Sequence, residues 1–222
     1  MIKKRYTAVI FDMDGTLLYT IDDIAKSVNL TLGEFGYPLR TTEEVTSFVN
    51  NGSAKLIERS LPESARDEET ISKVHERYIE IYNLHVCEKT RPYDGIKALV
   101  KKLGESGVKM AVVSNKPDIL VKALCEKCFG KGVFDYSSGI GNGLPIKPGR
   151  ECVDRAIKAM EVGREDVIYV GDSYVDVLTA RNSEVFCAGV LWGFGGEKSF
   201  EKYEPDVKVS STIELEKLIL GE

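Results

Sequence analysis

Short apolar runs rich in β-branched residues recur along this chain, and stretches with helical spacing separate them. Residues 6–11, 108–113, 133–139, 167–170, 185–190 and 207–209 are such runs. A near-continuous apolar strand suits a sheet covered on both faces, and strand–helix alternation makes that sheet parallel. The fold expected is therefore α/β, with a Rossmann-like parallel sheet and helices on both faces. One stretch departs from the pattern. From Asp22 to Val86 no strand is expected, and Ile24, Val28, Leu32 and Phe35 recur at helical spacing. Thr41-Thr42-Glu43-Glu44 has the form of a capping box opening a helix through Phe48, and Asn51-Gly52 breaks it. Residues 54–61 and 68–84 read as further helices. The chain thus divides into an α/β core of residues 1–17 and 87–222 and an all-α unit of residues 18–86 inserted after the first strand.

The bulk numbers exclude several classes. The 222 residues are 43% apolar and 29% charged, an ordinary globular balance. The formal net charge of −5 is unlike the basic footprint of a general nucleic-acid binder. No stretch approaches the roughly 20 apolar residues of a membrane span. The start, Met1-Ile2-Lys3-Lys4-Arg5, is charged, but the apolar run after it is short and broken by Asp12 and Asp14, so no signal peptide is expected and the cytoplasm is the default location. Five cysteines at irregular spacings argue against a disulfide framework. Cys125 and Cys128 form one CxxC, and with His75 and His85 the only histidines it reads as a helical turn rather than a zinc site.

In open α/β sheets ligands bind outside the carboxyl ends of the strands. Those ends are polar here. The first run leads into Asp12-Met13-Asp14-Gly15-Thr16, the second into Ser114-Asn115, and the fourth into Gly171-Asp172-Ser173-Tyr174-Val175-Asp176. Ile146-Lys147-Pro148 precedes the helix between them. Pro117 and Pro148 read as helix starts, Asp94 as a helix cap, and Ser173-x-x-Asp176 as a capping box. Two carboxylates two residues apart at a strand end repel and are costly to bury alone. With Asp172 they form a cluster that a hard divalent cation would neutralise, while Ser114, Asn115 and Lys147 offer a hydroxyl, an amide and an ammonium to a phosphate. The stretch Gly193-Phe194-Gly195-Gly196-Glu197-Lys198-Ser199 lacks a Gly-Lys-Ser triplet, so it reads as a loop at the sheet edge and not as a phosphate loop.

Asp-x-Asp-Gly-Thr, Ser-Asn, Lys-Pro and Gly-Asp-Ser-x-x-Asp, in that order, resemble the phosphatase branch of the haloacid dehalogenase superfamily over nearly the whole chain. Residues 36–61, 91–117 and 190–196 are similar to the phosphoglycolate phosphatases of that superfamily, although Asp94 stands where proline is frequent. The resemblance implies a helical cap over residues 18–86 and a Mg²⁺-dependent phosphatase working through an aspartyl-phosphate. It implies Asp12 as nucleophile and metal ligand, Asp14 as general acid and base and main-chain ligand, and Asp172 as the remaining ligand. Ser114, Asn115 and Lys147 would hold phosphate, with Gly15 and Thr16 close to it. Ser173 and Asp176 would support that set from behind. The partner implied is a small phosphorylated metabolite, with no nucleic acid and no membrane, and the chain is expected as a monomer or weak homodimer. Arg40, Lys55, Arg59 and the Asn51-Gly52 backbone are candidates for reading the rest of the substrate. A pyrophosphatase, a sugar-phosphate phosphatase, a phosphomutase and a non-enzymatic phosphate-binding regulator are the alternatives on the same scaffold.

Overall fold

The computed structural model describes residues 5–141, 143 and 145–222. The charged start at residues 1–4 and Asn142, the first residue of an expected Asn142-Gly143 turn, lie outside the described residues. The chain forms two compact units, Tyr19–Arg91 and a discontinuous one of Met1–Leu18 with Pro92–Glu222. In chain order the elements are β1 (Ala8–Phe11), β2 (Leu18–Tyr19), α1 (Ile21–Glu34), α2 (Thr42–Phe48), α3 (Ser53–Ser60), α4 (Glu68–His85), β3 (Arg91–Pro92), α5 (Ile96–Glu105), β4 (Lys109–Pro117) and α6 (Asp118–Phe129). They continue with β5 (Tyr136–Ile140), α7 (Glu151–Met160), β6 (Val167–Gly171), α8 (Tyr174–Asn182), β7 (Phe186–Val190), β8 (Val207–Val209) and α9 (Thr212–Leu220).

The core is a six-stranded sheet in the order β5-β4-β1-β6-β7-β8. All five neighbouring pairs run parallel. Every residue of β1 is fully buried, as its unbroken apolar run requires. One core cluster joins Ile10, Val113 and Tyr169 of the sheet to Val153, Ala156 and Met160 of α7 and Val177 of α8. Strands β4 and β5 lie to one side of β1, and β6, β7 and β8 to the other. The strand order therefore reverses at β1, which puts the binding crevice of such a sheet at the carboxyl ends of β1, β4 and β6.

The helical unit follows from its spacing and caps. Ile24, Val28 and Leu32 of α1 are buried on one face. Thr41 caps α2 in a capping box with Glu44, and the Asp67 side chain caps α4 by accepting from Thr70 N. Two local expectations fail in the core. Helix α7 begins at Glu151, not at Pro148, which lies in the preceding loop. Asp94 does not cap α5; Gly95, in the left-handed region, occupies that position without a side-chain cap.

Candidate active site

After β1 the chain turns within six residues. Met13 O accepts from Leu17 N and Leu18 N, and Gly15 N donates to Leu18 O at 2.9 Å. Gly15 has φ +84°, and a Cβ there would lie 2.4 Å from Asp172 Oδ2, so both conformation and space call for glycine. The turn aims Asp12 and Asp14 into different company. Asp12 is buried, with Oδ1 2.8 Å from Lys147 Nζ. That contact is an ion pair without hydrogen-bond alignment, and Oδ1 has no aligned donor. The Asp14 carboxylate instead meets Lys116 Nζ at 3.0 and 3.2 Å.

Lys147 stands between two acids. Its ammonium lies 2.8 Å from Asp176 Oδ1 and 3.2 Å from Tyr169 Oη. Burial by itself would lower this ammonium, but the facing Asp12 and Asp176 carboxylates outweigh it and hold it above the ordinary lysine range. Its backbone is clamped: Lys147 N donates to Asn115 Oδ1 at 2.7 Å, and Asn115 Nδ2 donates to Lys147 O at 3.2 Å. Asn115 thus uses its oxygen and one of its two amide hydrogens to place Lys147. Ser114 Oγ accepts from Lys116 N at 3.3 Å, which leaves its hydroxyl proton to donate elsewhere. The register of β4 shifts between Val113 and Pro117, and that irregularity re-aims residues 114–116 at the sheet edge.

Asp172 is fully buried at the end of β6. Thr16 Oγ1 donates to its Oδ1 at 3.3 Å, and Phe194 N donates to its Oδ2 at 3.0 Å. Burial pushes Asp172 well above the carboxylate range, and Asp176 and Asp12 add to the effect. Burial likewise pushes Asp12 up to about 7, against the pull of Lys147 and with the repulsion of Asp176. One oxygen each from Asp12, Asp172 and Asp176 lies within 4.8 Å of the others. The three are not equivalent. Asp176 Oδ1 accepts from Lys147 and Tyr169, and its Oδ2 accepts from Ser173 N and Oγ in the capping box that opens α8. Asp12 and Asp172 are the pair left with more charge than donors. Two under-satisfied buried carboxylates side by side are the donor set a hard cation fits.

A match to known proteins spans Asp12 through Asp176. The family described as haloacid dehalogenase-like hydrolase matches residues 9–190. The chain belongs to that family. A phosphoglycolate phosphatase of Agrobacterium fabrum is 34% identical over 205 residues, covering 90% of this chain and 86% of that protein. One from Neisseria meningitidis is 32% identical over 199 residues, covering 86% and 83%. A crystal structure from Lactobacillus delbrueckii, of a protein provisionally named phosphoglycolate phosphatase, superposes with a TM-score of 0.93 at 34% identity, covering 99% of this chain and all of that one.

Within this haloacid dehalogenase-like site, several residues escape the sequence reading. Lys116 is one, directly after the inspected Ser114-Asn115. Tyr169 is another, reading as plain strand core; its hydroxyl donates to Asp176 Oδ1 at 3.1 Å, and burial raises it above the usual tyrosine range. The loop after β7 is the third. By sequence it reads as a loop at the sheet edge; in the structure a Cβ on Gly193 would sit 2.2 Å from Asp172 Cβ, and Phe194 N is the donor to Asp172. Trp192 Nε1 donates to Thr16 O at 3.0 Å, so the same loop also holds the β1 turn. The signal for this loop is its place at the carboxyl end of the fifth apolar run.

In the helical unit the candidate cations are occupied. Arg40 donates to Ser60 O at 2.7 Å and Glu44 Oε1 at 3.4 Å. Arg59 donates to Phe48 O and Asn51 Oδ1, both at 2.8 Å. Lys55 pairs with Glu58 at 2.6 Å on an exposed turn. These contacts hold the unit together.

Proposed function

We propose that this chain is a Mg²⁺-dependent phosphatase that hydrolyses a small phosphate monoester through an aspartyl-phosphate on Asp12, with phosphoglycolate as its leading substrate. The observation that carries the reading is Asp12 itself. A buried carboxylate at the point where strand order reverses, ion-paired with a clamped lysine and grouped with two further buried acids, supports a nucleophile beside a cation. The relatives named phosphoglycolate phosphatase support the substrate.

Held by the Asp12 and Asp172 carboxylates and the Asp14 main-chain carbonyl, Mg²⁺ would offset the acidic cluster and polarise the phosphoryl group. The remaining work falls to side chains. An oxygen of Asp12 attacks phosphorus as the ester P–O bond breaks, and Asp14 gives its proton to the departing alkoxide oxygen. Asp14 then takes a proton from water, whose oxygen attacks the same phosphorus. The bond from Asp12 to phosphorus breaks, and inorganic phosphate leaves. Ser114 and Lys147 bind the phosphoryl oxygens, with Lys147 acting as a point charge. Asn115, Ser173, Asp176 and Tyr169 keep Lys147 in place, and Thr16 orients Asp172. The helical unit is assigned the role of a cap that selects the rest of the substrate. Cys87, Cys125, Cys152 and Cys187 are free thiols, which suits a reducing cytoplasm.

The test is a phosphate-release screen over phosphate monoesters, sugar phosphates and pyrophosphate, with and without Mg²⁺. Release from phosphoglycolate that needs Mg²⁺ is the expected result. Preference for pyrophosphate or a sugar phosphate reassigns the substrate, and phosphoryl transfer without phosphate release points to a mutase. Phosphate binding without turnover on any substrate overturns the reading.

A further inference from the structure

Asp12 and Asp14 sit two residues apart after the same strand, yet each has its own lysine. Lys147 arrives from the loop before α7 and takes Asp12. Lys116 comes from the end of β4 and takes Asp14, with Nζ 3.0 Å from Oδ1 and 3.2 Å from Oδ2. A contact to both oxygens centres the ammonium on the carboxylate and so fixes where that carboxylate sits. Lys116 is 5% exposed, whereas the Asp14 side chain is 21% exposed, so the lysine grips from inside and leaves the acid open outward. The lysine backbone is fixed in turn. Gly139 on β5 packs so closely that a Cβ there would meet Lys116 O at 2.2 Å, and Gly139 N donates to Asp118 Oδ1 at 2.9 Å.

We infer that Lys116 is the positioning residue for Asp14: it holds that carboxylate apart from the Asp12–Asp172 cluster and facing the leaving group. The inference rests on the phosphatase reading above. Its physical basis is competition. A fourth carboxylate beside Asp12, Asp172 and Asp176 would be drawn to Lys147 or to the cation of that cluster, and an acid so captured cannot reach the departing oxygen. The second cation removes that choice.

The test compares two substrates in Lys116→Met, with Lys116→Arg as the conservative variant and thermal melting as the check on folding. An alkyl phosphate needs a proton on its leaving oxygen; p-nitrophenyl phosphate does not. Loss of positioning therefore lowers kcat/KM for the alkyl ester by about 10- to 100-fold, the range for an orienting partner, and leaves p-nitrophenyl phosphate nearly unchanged. Lys116→Arg, which keeps the charge and two donors, restores at least part of the difference. In an Asp14→Asn background the Lys116→Met change has no further effect, since it acts only through Asp14. Equal losses on both substrates in a folded variant overturn the proposal in favour of a structural lysine. Additive losses in the double variant overturn it in favour of direct substrate contact. Should Lys116→Met not fold, Lys116→Gln, which keeps a polar group but removes the charge, decides by the same ratio between substrates. A wild-type chain inert toward both esters removes the phosphatase reading, and this inference with it.

Discussion

Asp23 in the helical unit and Asp12 with Asp172 in the core are all buried carboxylates, and their surroundings are opposite. Asp23 is fully enclosed and accepts from Cys87 N, Lys89 N, Thr90 N and Thr90 Oγ1, so its own chain wraps it in donors. Asp12 has an oxygen with no aligned donor, and Asp172 has two donors against two neighbouring acids. A carboxylate satisfied by backbone N–H groups fastens a loop. Three buried acids that share one lysine keep excess negative charge, which costs stability unless a further cation offsets it. The difference separates an architectural acid from a working one without reference to any relative.

Substitution tests that contrast most sharply. Asp12→Asn is expected to lower phosphate release by about 10³-fold or more, as loss of a covalent nucleophile does, while Asp23→Asn leaves the turnover of folded protein intact; assays at matched folded concentration check both. In stability the order reverses. Asp23→Ala is expected to cost about 3 kcal/mol, because several buried donors lose their acceptor, whereas Asp172→Asn in the metal-free chain is expected to raise stability by relieving repulsion. Urea unfolding measures both signs, and two destabilisations would break the comparison.

Smaller effects sharpen it. Gly193→Ala pushes a methyl group into Asp172 and is expected to raise the Mg²⁺ concentration for half-activity by about 10-fold, with little change at saturating Mg²⁺; a cation titration of activity reads it. The last contrast is a pH dependence. Asp12 rises from its ordinary 3.8 to about 7 on folding, so between those values the folded chain binds more protons than the unfolded one. Stability of the metal-free chain therefore falls as pH rises through that window. Mg²⁺ competes with the proton, and the gain in thermal midpoint on adding it is expected to be larger at pH 8 than at pH 5. A gain independent of pH would place the cation elsewhere.

The acids of the site were legible because they are anomalies: a charged residue ending an apolar strand has no structural excuse. The parallel sheet and a site at its carboxyl ends follow from strand–helix alternation, whereas the strand order is visible only in the structure. What escaped depends on which segments meet. Lys116 is an ordinary lysine until β4 shifts register, and Gly193 is an ordinary loop glycine until Asp172 lies against it. Arg40 and Arg59 show the converse, since cations that suit a substrate recess also suit helix ends and backbone carbonyls, and here they serve those. Pro148 misled because a proline fits a helix start and a tight loop equally well.

The clamp between Asn115 and Lys147 has a consequence for how such a protein can change. The lysine is addressed by a partner on a neighbouring strand, not by counting residues along its own loop. The position of the ammonium is therefore tied to β4, and a change that moved Asn115 would move Lys147 with it.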